Sequence, residues 1–167
     1  MYSLPKGGVG AEIGVDQAVF SEHLLEWTDP QLLWLVDSWQ QQGQRHDVLQ
    51  LRTLRKTMHR MRLHIGSGQV RVLVGPSVRC ATHVPNGTLD WLYIDADHTY
   101  HGCKANLDTW SSRVKKGGLI AIHDYTSPIK TLGGVRKAID EFVRQKGVSL
   151  ARVTQEANGT AWFWKEW

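Results

Sequence analysis

Leu89-Asp-Trp-Leu-Tyr-Ile94 leads into Asp95-Ala-Asp97-His98, and from there the hydrophobic period changes. The first six residues are a short, mostly apolar run entered from an Asn86-Gly87 turn, the pattern of a buried strand. Tyr100, Cys103, Leu107, Trp110 and Val114 then recur at steps of three and four, which is the spacing of one helix face. Gly117-Gly118 breaks that pattern, and Leu119–Ile122 forms a second apolar run that stops at His123-Asp124. Strand, helix and strand in this order predict a crossover unit with two parallel strands, because only a long connection brings the chain back in the same direction.

The same alternation extends outward. Val9–Val15 reads as a strand, with Asp16 as N-cap of a helix marked by Val19, Phe20, Leu24 and Trp27. Leu32–Val36 is a strand ending at Asp37, and the polar segment from Trp39 to His46 is expected as an exposed loop. From Asp47, the apolar positions Val48, Leu51, Met58 and Met61 predict a helix that ends near Gly66. Its basic residues Arg52, Arg55, Lys56, Arg60 and Arg62 are expected on the wet face. Val70–Val74 is a strand stopped by Gly75-Pro76, followed by a short helix over Ser77–His83. Val135, Ile139, Phe142 and Val143 mark a last helix, stopped by Gly147. Leu150–Gln155 and Ala161–Lys165 flank Asn158-Gly159, a hairpin signal. The fold class expected is α/β: one Rossmann-like, doubly wound domain over 1–167, its mostly parallel sheet closed by a C-terminal antiparallel hairpin strand. Ligands of such sheets bind beyond the carboxyl ends of the strands. Here those ends carry Gly14, Asp37, Gly75, Asp95 and Asp124.

Composition narrows the class. Of 167 residues, 41% are hydrophobic and 22% charged, which suits a globular chain with one core. No apolar run is long enough to span a bilayer, and the first residues lack the apolar centre of a signal peptide, so a cytoplasmic protein without a membrane partner is expected. Cys80 and Cys103 lack zinc-finger or CxxC spacing and read as two buried thiols. The net charge of +4 is spread thinly outside the 52–62 run.

Four segments, in order, carry a resemblance: Glu12-Ile-Gly14-Val-Asp-Gln-Ala18-Val-Phe-Ser21, Leu35-Val-Asp37-Ser-Trp39, Leu89–His98 and Lys116-Gly-Gly-Leu-Ile-Ala-Ile-His123-Asp124-Tyr125. Together they resemble class I S-adenosylmethionine-dependent methyltransferases. The branch is the small-molecule one that includes macrocin and caffeoyl-CoA O-methyltransferase-like enzymes. The likeness implies that Glu12, Gly14 and Val15 serve the methionine end of the cofactor. It implies that Asp37 accepts hydrogen bonds from the ribose, and that Trp39 and the Gly75–Ser77 loop border the adenine. For Trp39 a core position is an equal alternative. Ala18 departs from the family, which often has glycine there. The G-x-G-x-x-G dinucleotide fingerprint is absent, which counts against a nicotinamide enzyme.

Asp95-Ala-Asp97-His98 resembles the Asp-Ala-Asp-Lys segment of the caffeoyl-CoA-like enzymes, where the first Asp binds metal and the Lys lies near the acceptor oxygen. His123-Asp124 aligns with the pair that completes that metal site. The resemblance therefore implies Asp95, His98 and His123 as catalytic residues and Asp95, His123 and Asp124 as ligands of a divalent cation. Asp95 is counted on the cofactor side as well. A histidine among the ligands suits manganese, iron or zinc better than magnesium or calcium. A metal-free acid–base site is the other reading. The expected reaction is methyl transfer to a small-molecule hydroxyl, in a sugar or a phenol. Two rivals stand beside it: a nucleic-acid methyltransferase, disfavoured because Asn/Asp-Pro-Pro-Tyr/Phe is missing, and a non-catalytic cofactor-binding subunit. Little sequence precedes the first strand and eight tryptophans are present, Trp162, Trp164 and Trp167 among them, so two alternatives are expected, an open site or one closed by a second copy in a homodimer.

Overall fold

The structure, a computed structural model, describes residues 4–40, 47–127, 129–155 and 158–167. Seven strands form one sheet: β1 (Val9–Ile13), β2 (Leu32–Asp37), β3 (Val70–Val74), β4 (Leu89–Ile94), β5 (Val114–Ile122), β6 (Arg152–Val153) and β7 (Ala161–Trp164). Their order is β3-β2-β1-β4-β5-β7-β6. β1 to β5 pair in parallel, and β7 is antiparallel to both of its neighbours. The helices are α1 (Val19–Thr28), α2 (Asp47–Arg60), α3 (Arg62–Gly66), α4 (Ser77–Cys80), α5 (Tyr100–Trp110) and α6 (Ile129–Lys146). The chain runs outward from β1 to β3, then returns to β4 on the other side of β1, so the switch point lies between β1 and β4.

Both faces of the sheet are covered. One core layer joins Ala11, Trp34, Leu92, Ile120 and Phe163 to Leu107, Trp110, Ile139 and Phe142, the inward faces of α5 and α6. The other joins Leu33, Leu35, Trp91, Tyr93 and Leu119 to Leu24, Leu25 and Met61. Alternate residues of each strand feed opposite layers, and both are apolar, which is why the strands read as continuous apolar runs. Cys80 and Cys103 are free and buried, as expected.

Several expectations change at the level of side chains. β5 begins at Val114, five residues before the apolar run, and its pairing with β4 slips between Leu89 and Trp91 around the two glycines. Ala18, not Asp16, occupies the N-cap of α1, with a left-handed backbone and no side-chain cap. That conformation explains why glycine is common there. Val19 and Trp27 are half exposed; α1 buries Leu24, as expected, together with Ser21, Leu25 and Thr28. Leu51 and Met58 face solvent, and α2 packs through Leu54, Thr57 and Met61. The choice of face is set by the neighbour, since the Thr57 hydroxyl donates to the Asp16 carbonyl at 2.7 Å. Trp39, placed by the sequence at the head of an exposed loop, is buried; 41–46 lie outside the described residues. Strands β6 and β7 approach each other between Thr154 and Thr160, whose amide and carbonyl groups are linked across the hairpin. Of the turn itself, residues 156–157 lie outside the described residues.

Candidate active site

The carboxyl ends of β1, β2 and β4 surround a cavity of about 1460 Å³. Glu12, Gly14, Val15, Asp37, Ser77, Asp95 and His98 from the sequence reading all line it. Its walls are completed by residues the sequence did not single out, chiefly Phe20, Val78, Asn106 and Gly134. Phe20 and Val78 looked like ordinary helix-face residues, and their place at the opening follows only from how α1 and α4 dock. Gly134 is a matter of contact: a Cβ there would lie 2.4 Å from the Tyr100 backbone nitrogen, so glycine lets α6 press against the start of α5.

The turn after β1 is held from β2. Asp37 Oδ2 accepts the Val15 and Asp16 amides at 2.8 and 2.9 Å, and Oδ1 accepts the Trp39 amide at 2.7 Å. The Trp39 indole N–H returns to the Asp16 carbonyl at 2.8 Å. Trp39, 6% exposed, therefore stands in the core and locks the turn. Gly75 is likewise absent from the described cavity lining, although its neighbours Pro76 and Ser77 contribute to it. Gly14 has φ +91°, and a Cβ there would lie 1.8 Å from the Asp95 carbonyl oxygen. Its need for glycine is met inside the protein, in the approach of β1 to β4, rather than by room for a ligand. Three charge-assisted hydrogen bonds tie Asp37 to this turn, so Asp37→Ala is expected to lower unfolding stability by roughly 1–3 kcal/mol, in addition to any loss of binding. Chemical denaturation of the two proteins checks it.

Glu12 lies at the base of the cavity, 1% exposed, and its carboxylate accepts the Ser21 hydroxyl. Burial pushes its pKa up to about 8, against the Ser21 hydrogen bond; the charges of Asp95 and Asp37 push the same way.

A second cluster is built from the ends of β4 and β5. His98 Nε2 sits 3.1 Å from Asp95 Oδ1 and 2.9 Å from Asp124 Oδ2. His123 Nδ1 lies 3.6 Å from Asp95 Oδ1 and 3.5 Å from Asp124 Oδ1. Asp124 is buried, with a left-handed backbone, and its Oδ1 accepts the Ser127 hydroxyl at 2.8 Å. A hydrogen bond to Asp95 raises the pKa of His98, against burial; a separate interaction of its own with Asp95 raises that of His123, again against burial. For Asp95 burial favours the neutral form, but the hydrogen bonds from His123 and His98 outweigh it and hold the carboxyl well below the usual range. Asp97 stands aside from this cluster: it accepts the Thr99 amide, while Thr99 caps α5 through Gly102.

The ligand atoms of Asp95, His98 and Asp124 lie within 4.8 Å of one another. The single Nε2 of His98 faces two carboxylate oxygens but carries at most one proton. A bridging proton or a cation satisfies both acids. One nitrogen and two carboxylates form a donor set that fits manganese, iron or zinc. In this grouping His98 takes the place the sequence reading gave to His123.

A doubly wound sheet whose switch point opens onto a glycine turn, an acid at the end of β2 and a second acidic rim defines the class I methyltransferase fold. A family described as "Methyltransferase domain" matches residues 9–125, and the chain belongs to that family of S-adenosylmethionine-dependent enzymes. None of the curated proteins matches it in sequence. Among solved structures, the O-methyltransferase NovP is similar with TM-score 0.66 at 20% identity, over 97% of this chain and 72% of that one. A Staphylococcus aureus protein assigned as a caffeoyl-CoA O-methyltransferase gives 0.73 at 14% identity, over 95% and 76%. Cofactor-bound Rv0187 from MTB gives 0.72 at 16%, over 95% and 72%. No helix among the described residues is long and apolar enough to cross a membrane.

Proposed function

We propose that the chain methylates a hydroxyl oxygen of a small molecule, a sugar or a phenol, at the cluster formed by Asp95, His98 and Asp124. The observation that carries this reading is the convergence of one imidazole nitrogen on two carboxylates, all within 4.8 Å, with Asp95 and His98 lining the cavity and Asp124 buried behind them. A hydroxyl is a weak nucleophile until its proton is shared or removed, and this cluster is equipped to take it. The names of two structural neighbours, NovP and the caffeoyl-CoA enzyme, support an oxygen acceptor.

S-adenosylmethionine supplies an electrophilic methyl group on a sulfonium when bound. Glu12 would face its amino group, and the Gly14–Asp16 turn its carboxylate end. Asp37 has three of its roughly four acceptor sites filled by amides, which leaves one for a ribose hydroxyl. The exposed side chains of Val19 and Val78 give the cavity apolar wall for the remainder. His98 would hold or accept the hydroxyl proton, and Asp95 and Asp124 would orient it. His123, in reach of both carboxylates, would fix their position. A divalent cation on Asp95, His98 and Asp124 would supply Lewis-acid activation of the same oxygen.

Calorimetry with S-adenosylmethionine and its demethylated product, in the presence of manganese or of a chelator, tests both halves. Binding of the two nucleosides is expected with or without metal, and manganese is expected to give a separate heat that Asp124→Asn abolishes. Absence of nucleoside binding would overturn the cofactor assignment. An unchanged manganese signal in Asp124→Asn would remove the metal.

A further inference from the structure

The outer face of α2, continued into α3, carries a stripe whose members Leu51 and Met58 the sequence pattern assigned to the apolar face and whose arginines it assigned to the wet one. Leu51, Arg55, Met58 and Arg62 fall at steps of four, three and four, with Arg52 and His59 beside them and Leu63 beyond; all seven are exposed. The aliphatic members are 58% (Leu51), 41% (Met58) and 73% (Leu63) exposed. Among the described residues Arg52, Arg55 and Arg62 make no ion pair, whereas Arg60 pairs with Glu22. No Asp or Glu occurs between Asp47 and Asp90, while Arg52, Arg55, Lys56, Arg60, Arg62, Arg71 and Arg79 do. Arg71 and the exposed Val74 lie on β3, the edge strand of the sheet.

We propose that this face docks on an anionic lipid surface, with Leu51, Met58 and Leu63 entering the boundary between headgroups and acyl chains. Cations interleaved with aliphatic side chains on one helix face gain from both parts of such a surface at once. Nucleic-acid phosphates would engage the guanidinium groups but leave the leucines without a partner. A two-fold pairing of this face would set arginine against arginine. Peripheral attachment of this kind requires no membrane span.

Flotation of the full chain with vesicles of phosphatidylcholine alone, and of phosphatidylcholine with phosphatidylserine, tests the proposal. Binding to the anionic vesicles alone is expected, falling with added salt because the attraction acts within a Debye length. Each cation contributes roughly fivefold to partitioning, so Arg55→Glu/Arg62→Glu should reduce it at least twenty-fivefold or so. Leu51→Ser/Leu63→Ser should weaken it at every salt concentration, which separates insertion from charge attraction. Both variants alter exposed side chains and should keep the wild-type thermal midpoint and S-adenosylmethionine affinity. Should the first variant fail to fold, Leu63→Ser alone carries the test. Equal binding to both vesicle types, undiminished binding of the arginine variant, or binding only to a single-stranded oligonucleotide or polyglutamate would overturn it.

Discussion

Asp95→Asn is expected to lower methyl transfer by about 10²–10⁴-fold, the range associated with loss of acid–base or Lewis-acid assistance. Asp95 meets both imidazoles of the site, His98 at 3.1 Å and His123 at 3.6 Å, and stands with Asp124 around His98 Nε2. The asparagine keeps the shape of the side chain but cannot balance an imidazolium or hold a cation. His98→Gln should cost a similar factor. Because the two residues act on the same oxygen, the double variant should be little worse than either single one, and the steady-state rates of all four proteins measure that. Losses that multiply would show independent roles and break the cluster assignment. Chelator treatment of the wild type then separates the two chemistries: a drop to the level of Asp95→Asn identifies a metal, and an unchanged rate identifies proton transfer alone.

Glu12→Gln is expected to stabilise the folded protein at alkaline pH. The native carboxyl has its pKa raised from 4.5 to about 8 by burial, so between those values the folded state binds a proton that the unfolded chain has lost. Stability therefore falls as pH rises through that window, and the full deficit is present above about pH 8. At 1.36 kcal/mol for each pKa unit, the deficit is on the order of 5 kcal/mol, and the amide removes it. Denaturant titrations at pH 5 and pH 8.5 should show the two proteins nearly level at the lower pH and the variant ahead at the higher. A constant gap would mean that Glu12 is already ionised in the native state. The same substitution should weaken S-adenosylmethionine, because the amide, unlike the carboxyl, cannot give up a proton to meet its amino group with a charge. Such an opposite movement of stability and affinity is the signature of an acid kept buried for binding.

The architecture was legible because buried parallel strands and a helix with one apolar face leave strong local periodicities. The unit from Leu89 to Asp124 carries both, and β4 and α5 stand where the spacing put them, whereas the helix ends at Trp110 and Gly117-Gly118 lie inside β5 instead of breaking the helix. The acids at strand ends were legible for a related reason, since a charge directly after an apolar run must leave the sheet at its rim. Helix α2 shows the limit. Val48, Leu51, Met58 and Met61 make one apolar stripe and Leu54, Thr57 and Met61 another, displaced by about a fifth of a turn. Only docking against Asp16 selects the second.

By itself the amino-acid order determined the doubly wound sheet, the sequence of its elements and the set of residues brought to one end of it. Those outcomes follow from contacts between near neighbours and from the two periods of helix and strand. Tertiary packing alone decided that Trp39 closes a turn instead of lining the cavity, that Gly14 yields to Asp95, and that His98 stands between Asp95 and Asp124. Each of these depends on distances between side chains that are remote along the chain, and no local period encodes such distances.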